Sequence, residues 1–292
     1  MNNVTVIAGP ASEDLAKKIA RKLKASLQKT QLRVFPDGES KITFNSKPKK
    51  GTSVIIESTY PPVDTHIIHI LSIVAKARER SSKVILVVPY LGYARQDKEF
   101  LTGEVITVKV IAKLFKAVGV SKIIVVDVHS NIALNYFGMP KKNVSAIPAL
   151  VKKIKKMKLK NPLIVSPDKG GIVRAKTFAQ LFGADYIALD KKRDRKTGKV
   201  TIENKNIEDV KGRDLVLIDD MISSGGSIIK AAEFLKHRGC GKVVVGCTHA
   251  LLINKAEKRI KRAGVSKIIS TNTIPGNTAV VDVSGVIANE IS

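Results

Sequence analysis

The chain has 292 residues, enough for two domains of ordinary size, each able to bury its own core. Hydrophobic residues make up 44% and are spread along it, which argues against disorder, and no apolar run reaches the roughly 18 residues of a membrane span. The formal net charge of +26 would attract any phosphate-bearing partner, but aromatic residues are only 4% and do not interleave with the basic ones, so stacking platforms for single-stranded nucleic acid are absent.

Taken in chain order, short Val/Ile/Leu runs alternate with helical patterns. Strands are predicted at Val4–Ala8, Ser53–Glu57, Val84–Pro89 and Ile123–Asp127, then at Leu163–Ser166, Tyr186–Leu189, Leu215–Asp219, Val243–Cys247 and Lys267–Ser270. Helices are predicted at Ser12–Ser26, Thr65–Arg80, Val105–Ala117, Gly171–Leu181, Ser227–Arg238 and Asn254–Ala263. The first of these strands shows no charged segment followed by an apolar leader, so a cytoplasmic protein is the default. Near-continuous apolar strands alternating with helices define an α/β fold with mainly parallel sheets covered on both faces. The lysine-rich run Lys152–Lys160 carries Ile154 and Met157, in line with Leu150 and Val151, on one helical stripe; a solvated helix face explains it better than a nucleic-acid patch. Cys240 and Cys247 lie in no metal-ligand cluster, and Cys247 sits in an apolar run as a small buried hydrophobe.

The two halves look related. Val118–His129 and Arg238–His249 each run from a helix end through a glycine into an apolar strand that finishes on His, and Gly-Val-Ser-Lys-Ile-Ile occurs at both Gly119–Ile124 and Gly264–Ile269. Two tandem domains are expected, residues 1–144 and 145–292, with the boundary in the Lys141–Pro148 cluster and the last residues able to return to the first domain.

The most informative segment is Val216–Ser227. An apolar strand ends in Asp219 and Asp220, a Ser/Gly loop follows (Ser223, Ser224, Gly225, Gly226), and a helix starts near Ser227. Glycines admit close backbone approach, hydroxyls donate, and a helix N-terminus offers free N–H groups, which together suit a phosphate. Adjacent acids at a strand end suit sugar hydroxyls, and ligands of open α/β sheets bind at such ends. A simple N-cap would explain the serines but not the two acids. There is no P-loop signature.

This segment resembles the phosphoribosyl-diphosphate loop of type I phosphoribosyltransferases and of ribose-phosphate pyrophosphokinases, with Ser223 where an Asp is usual. Five further segments resemble the pyrophosphokinases, in their order and over nearly the whole chain: Phe35–Glu39, Pro89–Asp97, Asp127–Ser130, Ser166–Gly171 and Asp190–Arg193. The resemblance implies two tandem phosphoribosyltransferase-like domains, ATP and ribose 5-phosphate as substrates, Mg2+ as cofactor and a homo-oligomer of at least two chains. It also implies site residues. Asp37, Gly38, Glu39, Arg95, Gln96, Asp97 and His129 would bind ATP. Asp168, Lys169, Gly170 and Gly171 would form a pyrophosphate loop, and Asp168 with His129 would hold the metal. Lys191 and Arg193 would be catalytic, in a basic stretch continuing to Arg195, Thr197 and Gly198. Asp219, Asp220 and Ser223 to Ser227, with Arg193, would bind ribose 5-phosphate. His249, which has Cys247 where His129 has Asp127, is read as structural. A phosphoribosyltransferase would share Val216–Ser227 without needing Phe35–Glu39, and a non-catalytic regulatory homologue would lose Asp168, Lys191 or Arg193, all of which are present.

Overall fold

The computed structural model describes residues 4–193, 200–202 and 210–291, and for 191–193 and 200–202 the backbone alone. The chain divides into two compact units, one comprising 1–145, 273–275 and 283–292, the other 146–272 and 276–282.

The first unit contains β1 (Val4–Ala8), α1 (Glu13–Leu23), β2 (Ser26–Val34), β3 (Ser40–Phe44), β4 (Gly51–Ile56), α2 (Val63–Arg78), β5 (Ser81–Val88), α3 (Thr107–Ala117), β6 (Lys122–Val126), α4 (Asn131–Asn135) and β7 (Lys141–Val144). The second contains α5 (Ile147–Lys155), β8 (Leu163–Ser166), a 3-10 turn (Lys169–Gly171), α6 (Ile172–Phe182), β9 (Asp185–Ala188), β12 (Leu215–Ile222), α7 (Gly226–His237), β13 (Val243–Ala250), α8 (Ala256–Arg262), β14 (Val265–Thr271) and β15 (Ala279–Val281). Between β9 and β12 in sequence, β10 (Lys191–Arg193) and β11 (Val200–Ile202) form a separate antiparallel pair. The last helix, α9 (Ser284–Ile291), belongs to the first unit.

Every predicted strand and helix is present; Val4–Ala8 and Leu163–Ser166 keep the predicted bounds and the others have shifted ends. Helix α1 stops at Leu23 because Lys24 adopts a left-handed conformation (φ 50°) and its N–H caps the carbonyls of Ala20 and Arg21; Ser26, expected in the helix, opens β2 instead. The elements that no apolar run announced are edge strands and short pieces. β2 and β3 form an antiparallel hairpin that buries a single side chain, Gln28, and β7, in the polar cluster expected to be the domain boundary, is a parallel strand with two exposed lysines. Such strands bury little, so their composition stays polar. The lysine-rich segment forms α5, which buries Leu150, Val151 and Ile154 and leaves Lys152, Lys153 and Lys155 exposed.

The first sheet has the order β3-β2-β1-β4-β5-β6-β7 and the second β15-β14-β13-β12-β8-β9; all pairs in them are parallel except β2 with β3. This order fixes where a ligand can sit. In the first unit β1 leads through α1 to β2 on one side, while β4 leads through α2 to β5 on the other. In the second, β8 leads through α6 to β9 and β12 leads through α7 to β13, again in opposite directions. Each sheet thus has a switch point, between β1 and β4 and between β8 and β12, where the helices diverge and open a crevice at the strands' C-terminal ends. The repeated sequence also acquires a cause. Gly119, Gly239 and Gly264 all have positive φ (99°, 74° and 92°) and end α3, α7 and α8 before a strand, a conformation that costs glycine least.

Helix α9 packs on α1, and its Ile287 is fully buried. Ile287→Ala is expected to destabilise the first unit by about 2–5 kcal/mol. Hydrogen exchange read by mass spectrometry should show lower amide protection in α1 and β6, with protection in β12 and β13 unchanged; equal loss in both units would contradict this assignment of α9.

Candidate active site

Strand β12 is the central strand of the second sheet. β13 pairs with it as far as Ile222, but β8 pairs only with Leu215 to Leu217. From Ile218 onward one edge of β12 is released, and there Asp219 and Asp220 emerge at the switch point. The Asp220 N–H donates to Asp219 Oδ1 at 2.9 Å. Arg174 of α6 places Nη1 3.5 Å from Oδ1 of both carboxylates. Burial pushes the Asp219 carboxyl up to about 8; the hydrogen bond and charge of Asp220 and the charge of Asp168 add to this, and Arg174 opposes it. The acid pair therefore carries a shared proton near neutrality and can both donate to and accept from a vicinal diol. Cys247, beneath them in β13, is fully buried and its thiol is pushed far up by that burial, so it is no nucleophile.

After β12 the chain makes an open turn. Gly225 has φ 77° and caps α7; a Cβ there would meet Ile260 Cδ1 at 2.8 Å. Gly226 faces open space, and Ser224, Gly226 and Ser227 are exposed. Arg259 of α8 donates to the Ser224 carbonyl, fixing the loop from behind. The first N–H groups of a twelve-residue helix are thereby presented at an exposed glycine-serine turn, next to the acids.

The segment after β8 lies on the same crevice. Ser166 Oγ donates to the Asp168 carbonyl (2.6 Å), and Asp168 Oδ1 accepts from Gly171 N (3.2 Å), capping the 3-10 turn. Gly171 is obligatory, since a Cβ would lie 2.4 Å from Ser166 Oγ. Lys169 is exposed and pairs with Asp190 at 2.6 Å. Asp168, Lys169, Gly170 and Gly171 are thus brought to the mouth that holds Asp219 and Asp220. Arg174 was not singled out in the sequence; its only signal is its place three residues after Gly171, one helical turn into α6. Lys191 and Arg193, read in the sequence as part of a basic stretch, lie on β10, a strand paired with β11, and Arg195, Thr197 and Gly198 fall outside the described residues.

The residues implied for ATP lie in the first unit. Arg95 and Gln96 are exposed on the loop after β5, and His129 is exposed after β6, the adjacent strand. The two loops are tied together. Ser130 Oγ donates to the buried Asp97 carboxylate and Tyr136 OH donates to the Asp97 carbonyl at 2.9 Å, while Val128 N donates to Asn143 Oδ1 at 3.0 Å and holds the second loop to β7. Asp97 therefore acts as a brace between these loops. Asp127 has φ 38°, a strained setting that turns the chain sharply before His129. Asp37, Gly38 and Glu39 form the tip of the β2–β3 hairpin, with Gly38 at φ 91°, Glu39 N on Asp37 Oδ1 (3.1 Å) and Arg33 over the Phe35 ring. The hairpin stands at the far edge of the sheet, with β1 and β4 between β2 and β5, so the unit does not bring its tip to Arg95 or His129. His249 is buried within β13.

Two mainly parallel α/β units, one carrying paired acids and a glycine-serine turn at its switch point, define a protein of two phosphoribosyltransferase-type domains. Residues 4–119 match the N-terminal domain of ribose phosphate pyrophosphokinase and residues 141–284 the phosphoribosyl transferase domain. The chain is 34% identical over 290 residues to a ribose-phosphate pyrophosphokinase of Sulfurisphaera tokodaii, covering 98% of this chain and 99% of that one. It is 36% identical over 303 residues to one of Haemophilus influenzae, covering 100% and 96%. The phosphoribosylpyrophosphate synthetase of Mycobacterium smegmatis superposes with a TM-score of 0.86 at 27% identity, over 99% of this chain and 98% of that one. The chain belongs to the ribose-phosphate pyrophosphokinase family, ATP-dependent transferases that move the β,γ-diphosphoryl group to the C1 hydroxyl of ribose 5-phosphate and release AMP.

The raised Asp219 carboxyl makes a stability prediction. Its folded value lies above the ordinary 3.8, so its contribution is fully present below about pH 4 and is lost as pH rises through about 8. Asp219→Asn is expected to flatten the fall in melting temperature between about pH 4 and about 8, the window set by those two values, and to leave the behaviour below that window unchanged. A variant with the same slope as the parent would contradict a shared proton on this pair.

Proposed function

We propose that this chain binds ribose 5-phosphate at the C-terminal edge of the second unit and the nucleotide through the exposed loops of the first. The observation that carries this is the placement of Asp219 and Asp220 on the released edge of β12, immediately before an open turn and an exposed helix N-terminus. Asp219 and Asp220 hold the ribose hydroxyls, and Ser223, Ser224, Gly225, Gly226 and Ser227 receive the 5-phosphate through hydroxyl and backbone N–H donors. Arg174 positions the two acids. Arg95, Gln96 and His129 serve ATP, with Asp97 bracing their loops. Asp37, Gly38 and Glu39 serve adenine from the edge hairpin; its distance from β5 within one unit supports a site completed by a second copy, in a homo-oligomer of at least two chains. The domains divide the work at about residue 145. No helix among the described residues is long and apolar enough to cross a membrane, which supports a cytoplasmic setting.

The reaction is an in-line attack by the C1 hydroxyl of ribose 5-phosphate on the β-phosphorus, with AMP leaving. Catalysis is mainly orientation and charge stabilisation. Asp168, Lys169, Gly170 and Gly171 cradle the departing and arriving diphosphoryl oxygens, and Lys191 and Arg193 supply positive charge at the β-phosphorus, Arg193 also reaching the ribose phosphate. The donor set near Asp168 is oxygen from three carboxylates, Asp168, Asp219 and Asp220, which fits Mg2+ better than any softer ion. Mg2+, when bound, neutralises phosphate oxygens of the nucleotide. Asp168 would hold it, and His129, a nitrogen donor, would act through water or phosphate.

Incubation with ATP, Mg2+ and ribose 5-phosphate is expected to give AMP only when all three are present; AMP formation that ignores ribose 5-phosphate, full turnover after exhaustive chelation, or no AMP at all would refute the assignment. Lys191→Ala and Arg193→Ala should each lower kcat by on the order of 10²–10³ while leaving ATP affinity nearly unchanged, because they act on charge that develops in the transition state. Successive side chains alternate along extended backbone, so Lys192→Ala, between the two, is the internal control and should stay near the parent. Ser223→Asp should keep measurable activity and raise KM for ribose 5-phosphate through repulsion of its phosphate; an unchanged KM would place Ser223 off the phosphate.

A further inference from the structure

The switch point of the first unit, between β1 and β4, holds a cluster with no part in the reaction above. Glu57 follows β4, and His66 and His69 lie one turn apart near the start of α2. All three are buried: Glu57 completely, His69 at 2% and His66 at 8% exposure. One ligand atom from each lies within 4.8 Å of those of the other two.

Three buried side-chain atoms among the described residues lack a hydrogen-bond partner, and all three are here: Glu57 Oε1, His69 Nδ1 and His69 Nε2. Each such orphan is destabilising unless something compensates it. The remaining atoms of the cluster are anchored from outside. Ala11 N donates to Glu57 Oε2 at 2.9 Å, which leaves Oε1 for the cluster. His66 Nδ1 lies 2.7 Å from the Tyr60 carbonyl, an acceptor only, so Nδ1 carries the proton and Nε2 keeps its lone pair. Gly9 makes room for the carboxylate, since a Cβ there would lie 2.3 Å from Glu57 Oε2. His69 Nδ1 stands 3.9 Å from Glu57 Oε1, too far for a hydrogen bond between them.

We propose that Glu57, His66 and His69 form a structural binding site for a divalent transition-metal ion of the Zn2+ type. Two imidazoles and one carboxylate are the donor set that such ions take, and Glu57 and His66 are each oriented by a contact to the far atom, from Ala11 N and the Tyr60 carbonyl. Mg2+, which demands oxygen ligands, does not suit the site, so it is separate from the reaction's own cation. A bound cation supplies partners to Glu57 Oε1 and to His69, the atoms that otherwise lack them. The ion would pin the end of β4 to the first turns of α2. The same stretch carries the hydrogen bonds that seat the loop after β5: Tyr90 N on Ser58 Oγ (2.9 Å), Gly92 N on Thr59 Oγ1 (2.7 Å) and Tyr93 OH on Asp64 Oδ1 (2.6 Å). The metal therefore underlies the loop that presents Arg95 and Gln96.

The test uses the full chain, stripped with a chelator, exchanged into buffer with excess Mg2+ to occupy oxygen-rich sites, and titrated with Zn2+ against a chromophoric chelator. One tightly held Zn2+ per chain is expected, retained through desalting and measured by plasma mass spectrometry, with a higher melting temperature than the stripped protein. His66→Gln and His69→Gln should each weaken Zn2+ binding by at least about 10-fold, while His237→Gln, on the exposed face of α7, should leave it unchanged. X-ray absorption at the zinc edge of the parent protein should show two imidazoles and light oxygen donors, a readout that does not depend on how the variants fold. Failure to retain Zn2+, retention that survives both ligand substitutions, or an absorption spectrum without two imidazoles would overturn the proposal.

Discussion

A parallel sheet covered on both faces has only its ends to offer to a ligand. In each unit the inner strands are so apolar and buried that polar chemistry is pushed to the loops at their C-terminal ends, and the reversal of strand order selects one crevice among them. The rest of the molecule depends on this constraint. β8 gives way after Leu217, so Asp219 and Asp220 emerge on a free edge. The same reversal sends α6 and α7 apart and leaves the N-terminus of α7 uncovered. Acids, turn and helix end are thus consequences of one topological fact.

The two switch points have diverged in opposite chemical directions. In the second unit the crevice stays open, with exposed Gly226 and Ser227, half-buried Asp219 and a cation, Arg174, within 3.5 Å of both acids. In the first it is filled. Glu57 presses on Gly9, and imidazoles occupy the space from α2. Where the first unit does present exposed functional groups, they have moved along the sheet to the loops after β5 and β6 and to the β2–β3 hairpin. The division of labour proposed above, sugar phosphate on the second unit and nucleotide on the first, rests on this difference between the two crevices.

Charge is handled differently at the surface and at the site. The net charge of +26 resides largely on lysines of solvated faces such as α5, where each contributes little to any one contact but raises the positive field for polyphosphate substrates. At the site the cations are individually placed: Arg174 on the acids, Lys169 on Asp190, Arg259 behind the Ser224 carbonyl. Those are the charges that decide protonation and loop shape.

The sequence by itself determined the α/β class, the buried parallel strands and the six motifs, because near-continuous Val/Ile/Leu runs and strand-acid-acid-loop-helix patterns are local signals. It also singled out Asp219, Asp220 and the Ser223 to Ser227 turn as a phosphate and sugar site. Only the tertiary structure decided the rest. The edge strands β3 and β7, and β2 beside β3, stayed hidden because strands that bury one side or none need no apolar run. The meaning of Asp97 as a brace, the coupling of Arg174 to the acid pair and the convergence of Glu57 with His66 and His69 depend on strand order and on burial from several directions at once. Residues three positions apart on a helix or forty apart in sequence acquire a common environment only when the sheet brings their loops to one end, and no local pattern encodes that.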